Sequence, residues 1–374
     1  MAYLGQDIKK LGFGLMRLPM MDNGAIDLEQ SAEMVDRFLA KGFTYFDTAY
    51  GYINGKSEEA AKTILVDRYP RESFQLATKL PAWAGPKTAK EAEEMFWTSL
   101  RRTGAGYFDY YLLHSLGDTR TQAFYDFHIW EFLAEQKEKG LIKHLGFSFH
   151  DKAEVLDGIL TKHPEMEFVQ LQINYADWES PTVESRKCYE VARKHNKPVI
   201  IMEPVKGGSL AVLPERMSKF FTEYDQKASQ ASWALRYAAS FDGIVTVLSG
   251  MSNLAQMEDN LATMENFLPL TDGERAVVAK VQQVLEATPI VPCTDCRYCV
   301  KDCPQEIDIP GIFSAVNTFK VYDNLEGARG HYGWITRSGA RASTCIECGQ
   351  CETACPQHIH IVEELKITVE LLEA

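Results

Sequence analysis

The sequence predicts an α/β fold, a (β/α)8 TIM barrel followed by a mostly α-helical domain. Two observations lead to this prediction. Short apolar runs alternate with amphipathic stretches from about residue 30 to residue 265, and eight of the nine cysteines lie between Cys293 and Cys355. With 45% hydrophobic and 24% charged residues, the chain has the composition of a globular protein. We therefore expect a barrel over residues 1–285 and a cysteine-rich domain over residues 286–374.

Eight apolar runs are the candidate strands. They are LGFGL (11–15), FTYFD (43–47), FQLAT (74–78), YYLLH (110–114), HLGFSF (144–149), FVQLQI (168–173), PVIIM (198–202) and GIVTVL (243–248). The segments between them place apolar residues three and four positions apart, which is typical of amphipathic helices. Apolar strands that alternate with helices indicate a parallel sheet buried on both faces, and eight such units favour a closed barrel. A doubly wound open sheet is the alternative, but GFGLMR (12–17) lacks the third glycine of a dinucleotide fingerprint.

The charge of the chain bears on its partners and its location. The formal net charge is −13. Binding to a nucleic-acid backbone or to anionic lipid requires clustered lysine and arginine, so we expect neither nucleic acid nor a membrane as a partner. Residues 1–10 contain no apolar signal-peptide core, and no later segment approaches ~18 uninterrupted apolar residues. We therefore expect a cytoplasmic protein without a signal peptide or a membrane span.

The cysteine-rich region contains an internal repeat. The pattern C-x2-C-x2-C-x3-C-P begins at Cys293 and again at Cys345. In this spacing the first three thiolates bind one iron–sulfur cluster, and the fourth binds the other cluster. We therefore predict two [4Fe–4S] clusters, one bound by Cys293, Cys296, Cys299 and Cys355, and the other by Cys345, Cys348, Cys351 and Cys303.

Other interpretations exist for residues in and near the repeat. Zinc is the alternative metal, but a zinc site closes with four ligands, and two C-x2-C pairs would suffice. His358 and His360 follow the second run and are surplus as ligands. Cys188, on a predicted barrel helix, is most simply a buried small hydrophobic residue. Residues 311–335, between the two runs, look helical, so we predict a mostly helical second domain.

Polar side chains stand where three successive candidate strands end. Asp47 ends one strand and Tyr52 follows it, Lys79 follows the next, and His114 ends the third. Catalytic residues of a TIM barrel lie at the C-terminal ends of its strands. Each has a structural alternative, such as a helix cap for Asp47, a loop aromatic for Tyr52 or a core histidine for His114. Four proton-handling side chains at one rim together predict a catalytic site.

The motifs around these residues resemble a known family. D-T-A-Y-G-Y (47–52), T-K (78–79) and L-L-H (112–114) are similar, in order and spacing, to the Asp/Tyr/Lys/His tetrad of the aldo-keto reductases. The resemblance covers residues 8–265, and the C-terminal part resembles helical two-cluster ferredoxins. Together these features resemble the iron–sulfur-containing branch of the aldo-keto reductases. The resemblance implies an NAD(P)-dependent oxidoreductase acting on a small carbonyl or sugar-like substrate, with a redox partner protein as a further expectation.

The chemistry of carbonyl reduction assigns a role to each residue of the tetrad. A hydride must reach carbon and a proton must reach oxygen, and no side chain supplies a hydride, so a cofactor is needed. Tyr52 is the candidate acid, and a neighbouring Lys79 ammonium is expected to lower the pKa of its hydroxyl. Asp47 would keep Lys79 charged and oriented. His114 is expected to polarise the carbonyl oxygen through a hydrogen bond.

The cofactor contacts are predicted from the resemblance and from the loops after the last two strands, where barrels commonly bind phosphate. The candidates are Ser148, Gln172, Met202, Lys206, Gly207, Gly250, Ser252, Gln256 and Asn260. Three positions depart from the family pattern. Gln256 replaces an arginine common in members that prefer NADP, Phe149 replaces the asparagine after Ser148, and Met202 replaces a stacking aromatic ring. The choice between NAD and NADP therefore stays open, and ordinary glycine turns are the alternative for both loops.

Two functional hypotheses follow. The first is an oxidoreductase in which the clusters either deliver electrons or hold the second domain together. The alternative is an electron-transfer or redox-sensing module whose barrel binds a nucleotide or a partner without turnover. The intact tetrad favours the first, because a binding barrel has no need of that quartet. However, clusters transfer single electrons, whereas a nicotinamide transfers a hydride, and the sequence shows no flavin motif to couple the two.

Overall fold

The computed structural model describes residues 3–293, 295–301 and 303–374. The first two residues of the predicted barrel domain lie outside this part of the chain. The chain divides into two compact units, Met1–Gly207 with Ala231–Arg275 and Gly208–Gln230 with Ala276–Ala374. The predicted domain boundary between residues 285 and 286 stays a prediction. The compact units divide the chain differently, since residues 208–230 and 276–285 group with the C-terminal residues.

The first unit contains a closed barrel of eight parallel strands in sequence order. The strands are β1 (Leu11–Gly14), β2 (Tyr45–Asp47), β3 (Gln75–Leu80), β4 (Phe108–Leu116), β5 (Ile142–Phe149), β6 (Phe168–Gln172), β7 (Val199–Met202) and β8 (Ile244–Ser249). Pairing of β1 with β8 closes the barrel. Each candidate strand predicted from an apolar run is present, which confirms the (β/α)8 fold.

Helices follow the strands and fill the C-terminal part. Those of the described residues are α1 (Leu28–Ala40), α2 (Lys56–Ala61), α3 (Ala89–Thr103), α4 (Thr121–Asp126), α5 (Ile129–Glu138), α6 (Ala153–Lys162), α7 (Ser185–Lys194) and α8 (Glu215–Tyr224). They continue with α9 (Gln230–Ala239), α10 (Leu254–Met264), α11 (Asp272–Ala287), α12 (Tyr298–Lys301), α13 (Ile309–Tyr322), α14 (Leu325–Ile335), α15 (Gln350–Thr353) and α16 (Ile361–Thr368). None of these helices is long and apolar enough to cross a membrane.

Local signals explain where the longer barrel helices begin and end. The Asp27 side chain accepts a hydrogen bond from the Gln30 amide (3.0 Å) at the start of α1. Thr88 accepts one from the Glu91 amide (3.2 Å) at the start of α3. Such caps satisfy amide groups that have no partner within the helix. At the end of α3, Gly104 adopts a left-handed φ of 64°, which only glycine reaches without strain.

Alternation of side chains along the strands positions the site. Tyr45, Tyr110 and Phe168 pack inside the barrel, with ring centroids 5.0 and 5.2 Å apart for the two successive pairs. Side chains two or four residues further along a strand point to the same face. Asp47 and His114 therefore also face the barrel interior, nearer the C-terminal ends of β2 and β4.

The second unit is helical and has its own apolar core. Ile309, Phe313, Tyr332 and Ile361 are among its buried residues. The sequence between β7 and β8 contributes α8 to this unit. Arg216 of α8 pairs with Asp323 (2.7 Å) and donates to the Val321 carbonyl (2.6 Å). These contacts explain why α8 groups with the C-terminal helices although it lies between two barrel strands in sequence.

Candidate active site and cluster sites

The structure brings the four predicted catalytic residues together. The Lys79 ammonium donates to Asp47 Oδ1 (2.5 Å) and to the Thr48 carbonyl (2.8 Å), and lies 3.4 Å from the Tyr52 hydroxyl. The rings of Tyr52 and His114 meet edge to face, with centroids 5.9 Å apart. The side chains come from β2, the loop after it, β3 and β4. Their arrangement has a phenol between an ammonium and an imidazole, which can deliver a proton to a carbonyl oxygen.

The loop that carries Tyr52 is anchored at several points. The Tyr50 amide donates to the Lys79 carbonyl (3.1 Å), and the Tyr50 carbonyl accepts from Arg102 (3.0 Å). Thr48 and Ser57 share a buried hydroxyl–hydroxyl hydrogen bond of 2.7 Å across the loop. These bonds tie the loop to β3 and α3 and join its two ends to each other. The Tyr52 hydroxyl therefore has a fixed position relative to the end of β3.

Burial and the ion pair set the charges of the tetrad. Burial alone would lower the pKa of Lys79, but its attraction to Asp47 outweighs this and raises that pKa above the usual value. Burial raises the pKa of Asp47, and Lys79 opposes the rise. Burial also raises the pKa of Tyr52, by more than Lys79 lowers it. As predicted, Lys79 lowers the pKa of the Tyr52 hydroxyl. Because burial has the larger effect, the pKa of this hydroxyl is nevertheless raised above its usual value, and Tyr52 is protonated at neutral pH.

The imidazole of His114 is neutral at neutral pH. Burial lowers its pKa well below the usual value, and the nearby charge of Lys79 lowers it further. Its Nδ1 atom is buried and has no hydrogen-bond partner within the described part of the chain. A neutral imidazole donates a hydrogen bond without bringing a full charge into the site. His114 is therefore suited to polarise a carbonyl oxygen.

Polar residues of β5 and β6 lie side by side in the barrel. Ser148 and Gln170 are register partners on these adjacent strands. Ser148 Oγ accepts a hydrogen bond from the Ser115 amide (2.7 Å). Gln170 Nε2 contacts the Met202 sulfur at 3.5 Å, whereas Gln170 Oε1 is buried and lacks a partner among the described residues. Ser148 and Gln170 thus present a hydroxyl and an unpaired amide oxygen side by side on β5 and β6.

The structure distinguishes Gln170 from the predicted contact Gln172. The Gln172 amide donates to Asp177 Oδ2 (2.9 Å) and is therefore already engaged. From the sequence, only Gln172, the last polar residue of FVQLQI, was predicted as a cofactor contact. The alternation of that run places both glutamines on one face. That alternation was the signal that could have identified Gln170 as well.

The two glycine-containing loops meet an arginine that the sequence analysis did not single out. Lys206 Nζ pairs with Asp177 Oδ1 (2.6 Å), so its charge is largely offset. Gly207 has a left-handed φ of 63°. A Cβ atom at Gly250 would lie 3.2 Å from the side chain of Arg17, and one at Gly207 would lie 3.3 Å from Arg17 Nη2. Arg17 is therefore the cation between the two loops.

Ser252, Gln256 and Asn260, three further predicted cofactor contacts, are engaged in hydrogen bonds within the protein. The Ser252 amide donates to Gln256 Oε1 (2.8 Å), and Ser252 Oγ donates to the Arg17 carbonyl (2.9 Å). Asn253 caps α10 by accepting from the Gln256 amide (2.9 Å). Asn260 Nδ2 donates to Ser249 Oγ (3.0 Å). The neutral Gln256 side chain is thus directed at the backbone of the β8 loop.

The eight clustered cysteines line two cavities in the second unit. One cavity is lined by Cys293, Cys296, Cys299 and Cys355, and the other by Cys303, Cys345, Cys348 and Cys351. Each cavity thus combines three cysteines of one run with the fourth cysteine of the other run, which is the predicted pairing. Ile309 lines both cavities, so the two sites are neighbours.

The repeat in the sequence is also a repeat in the backbone. Left-handed residues recur at equivalent positions of the two runs, Asp295 and Glu347, Arg297 and Gly349, Glu306 and His358. The Glu347 amide donates to Cys345 Sγ (3.4 Å), the type of hydrogen bond that tunes a cluster sulfur. Equivalent loops that wrap equivalent cavities fit two similar clusters.

The thiols of these cavities suit iron as a partner. Burial raises the pKa of the free Cys299 thiol to about 12 and that of Cys351 to about 11. A thiolate at these positions needs a nearby cation, which bound iron supplies. No group of three His, Cys, Asp or Glu residues in the described ranges is close enough to share one metal ion. The thiols instead surround cavities, as a multi-atom cluster requires.

The other residues that the sequence analysis discussed lie outside the two cavities. His358 and His360 are exposed and line neither cavity. Cys188 is 3% exposed, and its sulfur faces the Asp151 carbonyl at 3.6 Å. These positions agree with the interpretation of the two histidines as surplus and of Cys188 as a buried small hydrophobic residue.

Comparison with known proteins identifies both parts of the chain. The model of the "Aldo/keto reductase family" matches residues 10–283, and that of the "4Fe-4S dicluster domain" matches residues 292–360. The chain belongs to the aldo/keto reductase family. It is an oxidoreductase of that family, extended by an iron–sulfur domain.

Individual relatives agree with this assignment. "Probable aldo-keto reductase 1" of Glycine max is 27% identical over 187 residues, 46% of this chain and 50% of that protein, so the match spans about half of that curated relative. Among solved structures, "aldo-keto reductase AKR11C1 from Bacillus halodurans (holo form)" has a TM-score of 0.60 at 24% identity and covers 75% of this chain and 95% of its own. An aldo-keto reductase from Klebsiella pneumoniae "in complex with NADPH" has a TM-score of 0.57 at 19% identity, with 74% and 91% covered. At these identities the two structures establish the shared fold.

Proposed function

We propose that this aldo/keto reductase reduces a small carbonyl compound, or oxidises the corresponding alcohol, with a nicotinamide cofactor. The observation that carries the proposal is the buried Lys79–Asp47 ion pair beside the Tyr52 hydroxyl, with a neutral His114 facing the same phenol. A reduced nicotinamide, when bound, supplies the hydride that no side chain provides.

Each tetrad residue has a defined part in the proton transfer. The Tyr52 hydroxyl donates its proton to the carbonyl oxygen, which becomes the hydroxyl of the product. The tyrosinate that is left is stabilised by the Lys79 ammonium 3.4 Å away and regains a proton from solvent. Asp47 keeps that ammonium in place. His114 donates a hydrogen bond to the same carbonyl oxygen, so the negative charge that develops there meets two donors.

The residues of β5, β6 and the two glycine loops fit a dinucleotide. A carboxamide presents one acceptor and two donors, and these match the Ser148 hydroxyl and the unpaired Gln170 Oε1. Arg17, between Gly207 and Gly250, offers a positive charge to a pyrophosphate. The Klebsiella pneumoniae relative, described in complex with NADPH, supports a nicotinamide dinucleotide as the cofactor.

We infer that the second unit binds two [4Fe–4S] clusters through the eight cysteines of its two cavities. The interleaved lining of the cavities supports this inference. Each cluster, when bound, supplies one-electron transfer. Because three of its ligands come from one run and the fourth from the other, each cluster also links both ends of the domain. The clusters therefore act as structural links whether or not they pass electrons during turnover.

Aldehyde-dependent oxidation of a reduced coenzyme is the expected activity of anaerobically purified protein. Both NADH and NADPH should support it, because the neutral Gln256 side chain brings no charge to a 2′-phosphate. We expect the two kcat/KM values to differ by less than about a hundredfold, or roughly 2.7 kcal/mol. The measurement is coenzyme absorbance with and without a panel of aldehydes. No aldehyde-dependent oxidation of either coenzyme across the panel would contradict the proposed function.

Replacing Gln170 should weaken coenzyme binding. Gln170→Leu removes the free amide oxygen, and the lost hydrogen bond should raise the dissociation constant about tenfold, roughly 1.4 kcal/mol. Gln172→Leu is the matched comparison, because the Gln172 amide is already bound to Asp177. Coenzyme fluorescence titration of both variants gives the two constants. A larger effect at Gln172 than at Gln170 would show that the wrong glutamine has been assigned to the carboxamide.

A further inference from the structure

An arginine and a tryptophan lie on the rim of the barrel beside His114. The Trp83 indole follows β3, is 41% exposed and donates to the His114 carbonyl (2.8 Å). The Arg120 guanidinium lies over the face of that indole, 4.7 Å from the ring centre. It also donates to Ser115 Oγ, on the residue that follows His114. Both side chains are therefore fixed directly to the end of β4 that carries His114.

The backbone is strained at Ser115, and a hydrogen bond to the neighbouring strand β5 stabilises this conformation. Ser115 is buried and has a left-handed φ of 59°, an unfavourable conformation for a residue with a side chain. Its amide is directed to Ser148 Oγ (2.7 Å), and its hydroxyl accepts from Arg120. The contacts thus link the Arg120 guanidinium to Ser148 through a single residue. These contacts hold the guanidinium beside the end of β4 that carries His114.

Arg120 differs from the two lysines near the site because no carboxylate pairs with it in the described residues. Lys79 is paired with Asp47, and Lys206 with Asp177. The carboxylate of Asp151, in the loop after β5, instead accepts the backbone amides of Asp118 and Lys152. In a chain with 52 acidic and 39 basic residues, an unpaired, partly buried arginine is unexpected.

The charge of Arg120 acts on the site. After burial and Lys79, Arg120 is among the charges that lower the pKa of His114. Its guanidinium carries five N–H donors, and the serine hydroxyl accepts from only one of its nitrogen atoms. The remaining donors form the planar fork that binds a carboxylate or a phosphate at two oxygens.

We propose that Arg120, supported by Trp83, binds an anionic group of the substrate, so that the preferred substrates are carbonyl compounds bearing a carboxylate or a phosphate. The inference deepens the proposed function and rests on it for the placement of the reacting carbonyl at Tyr52 and His114. A substrate bound in this way spans the rim between the tetrad and Arg120. Trp83, which is 41% exposed at this rim, would then contact the carbon skeleton between the two ends of the substrate.

Matched pairs of aldehydes test the proposal in the full-length protein with its clusters and coenzyme. The first pair is 4-formylbenzoate and the neutral 4-formylbenzamide, and the second is glyceraldehyde 3-phosphate and glyceraldehyde. We expect the charged member of at least one pair to have a kcat/KM at least tenfold higher. Arg120→Gln should bring that ratio close to one, and Arg120→Lys should keep part of it, since the charge stays but the fork is lost. The pair that responds identifies the anion as carboxylate or phosphate.

Two controls separate this inference from the proposed function. Arg101→Gln, which removes an exposed arginine paired with Glu94, should leave both ratios unchanged. Calorimetric titration of the same compounds into Tyr52→Phe protein, with and without Arg120→Gln, measures the preference for the anion without turnover. If no aldehyde is reduced but the anion still binds more tightly in an Arg120-dependent way, the anion site stands and the proposed function fails. Equal binding and turnover of charged and neutral compounds, or an equal loss of both in Arg120→Gln, would overturn the inference.

Discussion

Tyr52→Phe should lower kcat for aldehyde reduction by at least about a hundredfold, the usual contribution of a general acid. The variant lacks only the proton donor, and the phenylalanine ring can keep the packing against Lys79 and His114. The dissociation constant of the coenzyme should therefore change little. Steady-state kinetics and coenzyme titration on the same preparation separate the two effects.

The pH dependence provides a second test of the same assignment. Burial raises the pKa of the Tyr52 hydroxyl above its usual value of 10.0, so the protonated acid persists to higher pH than a free phenol would. Reduction should thus be lost only above pH 10, and oxidation of the alcohol, which needs the tyrosinate, should rise over the same range. Tyr69→Phe, which removes a hydroxyl bound to Asp36, is the matched control and should keep its activity. Near-normal turnover by Tyr52→Phe would exclude Tyr52 as the acid.

Cys303→Ala should damage one cluster and leave the other in place. Wild-type protein is expected to contain about eight iron atoms per chain, and the variant about four. The cavity that Cys303 lines also contains Cys345, Cys348 and Cys351, so these three thiols should become reactive to alkylating reagents. The cysteines of the other cavity should stay protected. Iron analysis and mass spectrometry of the alkylated, anaerobically purified protein measure both outcomes.

The controls for this experiment lie in the same chain. Cys188→Ala removes a buried cysteine that lines neither cluster cavity and should keep about eight iron atoms. Cys355→Ala should expose Cys293, Cys296 and Cys299 instead. Alkylation of Cys293, Cys296 and Cys299 in the Cys303→Ala variant would show that each run binds its own cluster. Zinc in place of iron after iron-replete expression would contradict the cluster assignment altogether.

Loss of a cluster should also loosen the domain that it links. Cluster binding contributes free energy only to the folded arrangement, so Cys303→Ala should make the region after residue 290 sensitive to proteolysis. The barrel buries its own core and should resist. Residual reduction by this variant indicates that the cluster lined by Cys345, Cys348 and Cys351 is not obligatory in turnover. A folded barrel without activity indicates that the clusters, or the domain they link, take part.

The fold was largely predictable because its signals are local. The apolar runs at residues 110–114 and 144–149 became β4 and β5, each only a few residues longer than predicted. The cysteine spacing likewise predicted the interleaved lining of both cavities, since a run this short has little freedom in how it surrounds a cluster. In both cases the residues that decide the structure are close together in sequence.

Side-chain partners were not predictable in the same way. The sequence predicted Lys206 as a cofactor contact, but the structure pairs its ammonium with Asp177, which also accepts a hydrogen bond from the amide of Gln172. The position of Arg17 between two glycine loops depends on the closure of β1 against β8. Neither contact can be predicted from the periodic pattern of apolar and polar residues in the sequence.

The sequence by itself determined the barrel, the order of its strands, the rim that carries the tetrad and the two cysteine runs. Only the tertiary structure decided that burial outweighs Lys79 in the pKa of Tyr52, that Gln170 rather than Gln172 keeps a free amide oxygen, and that Arg120 has no carboxylate partner in the described residues. The physical reason is that periodicity reports which face of an element is buried, whereas charge and hydrogen bonding depend on which distant loops meet at the end of the barrel.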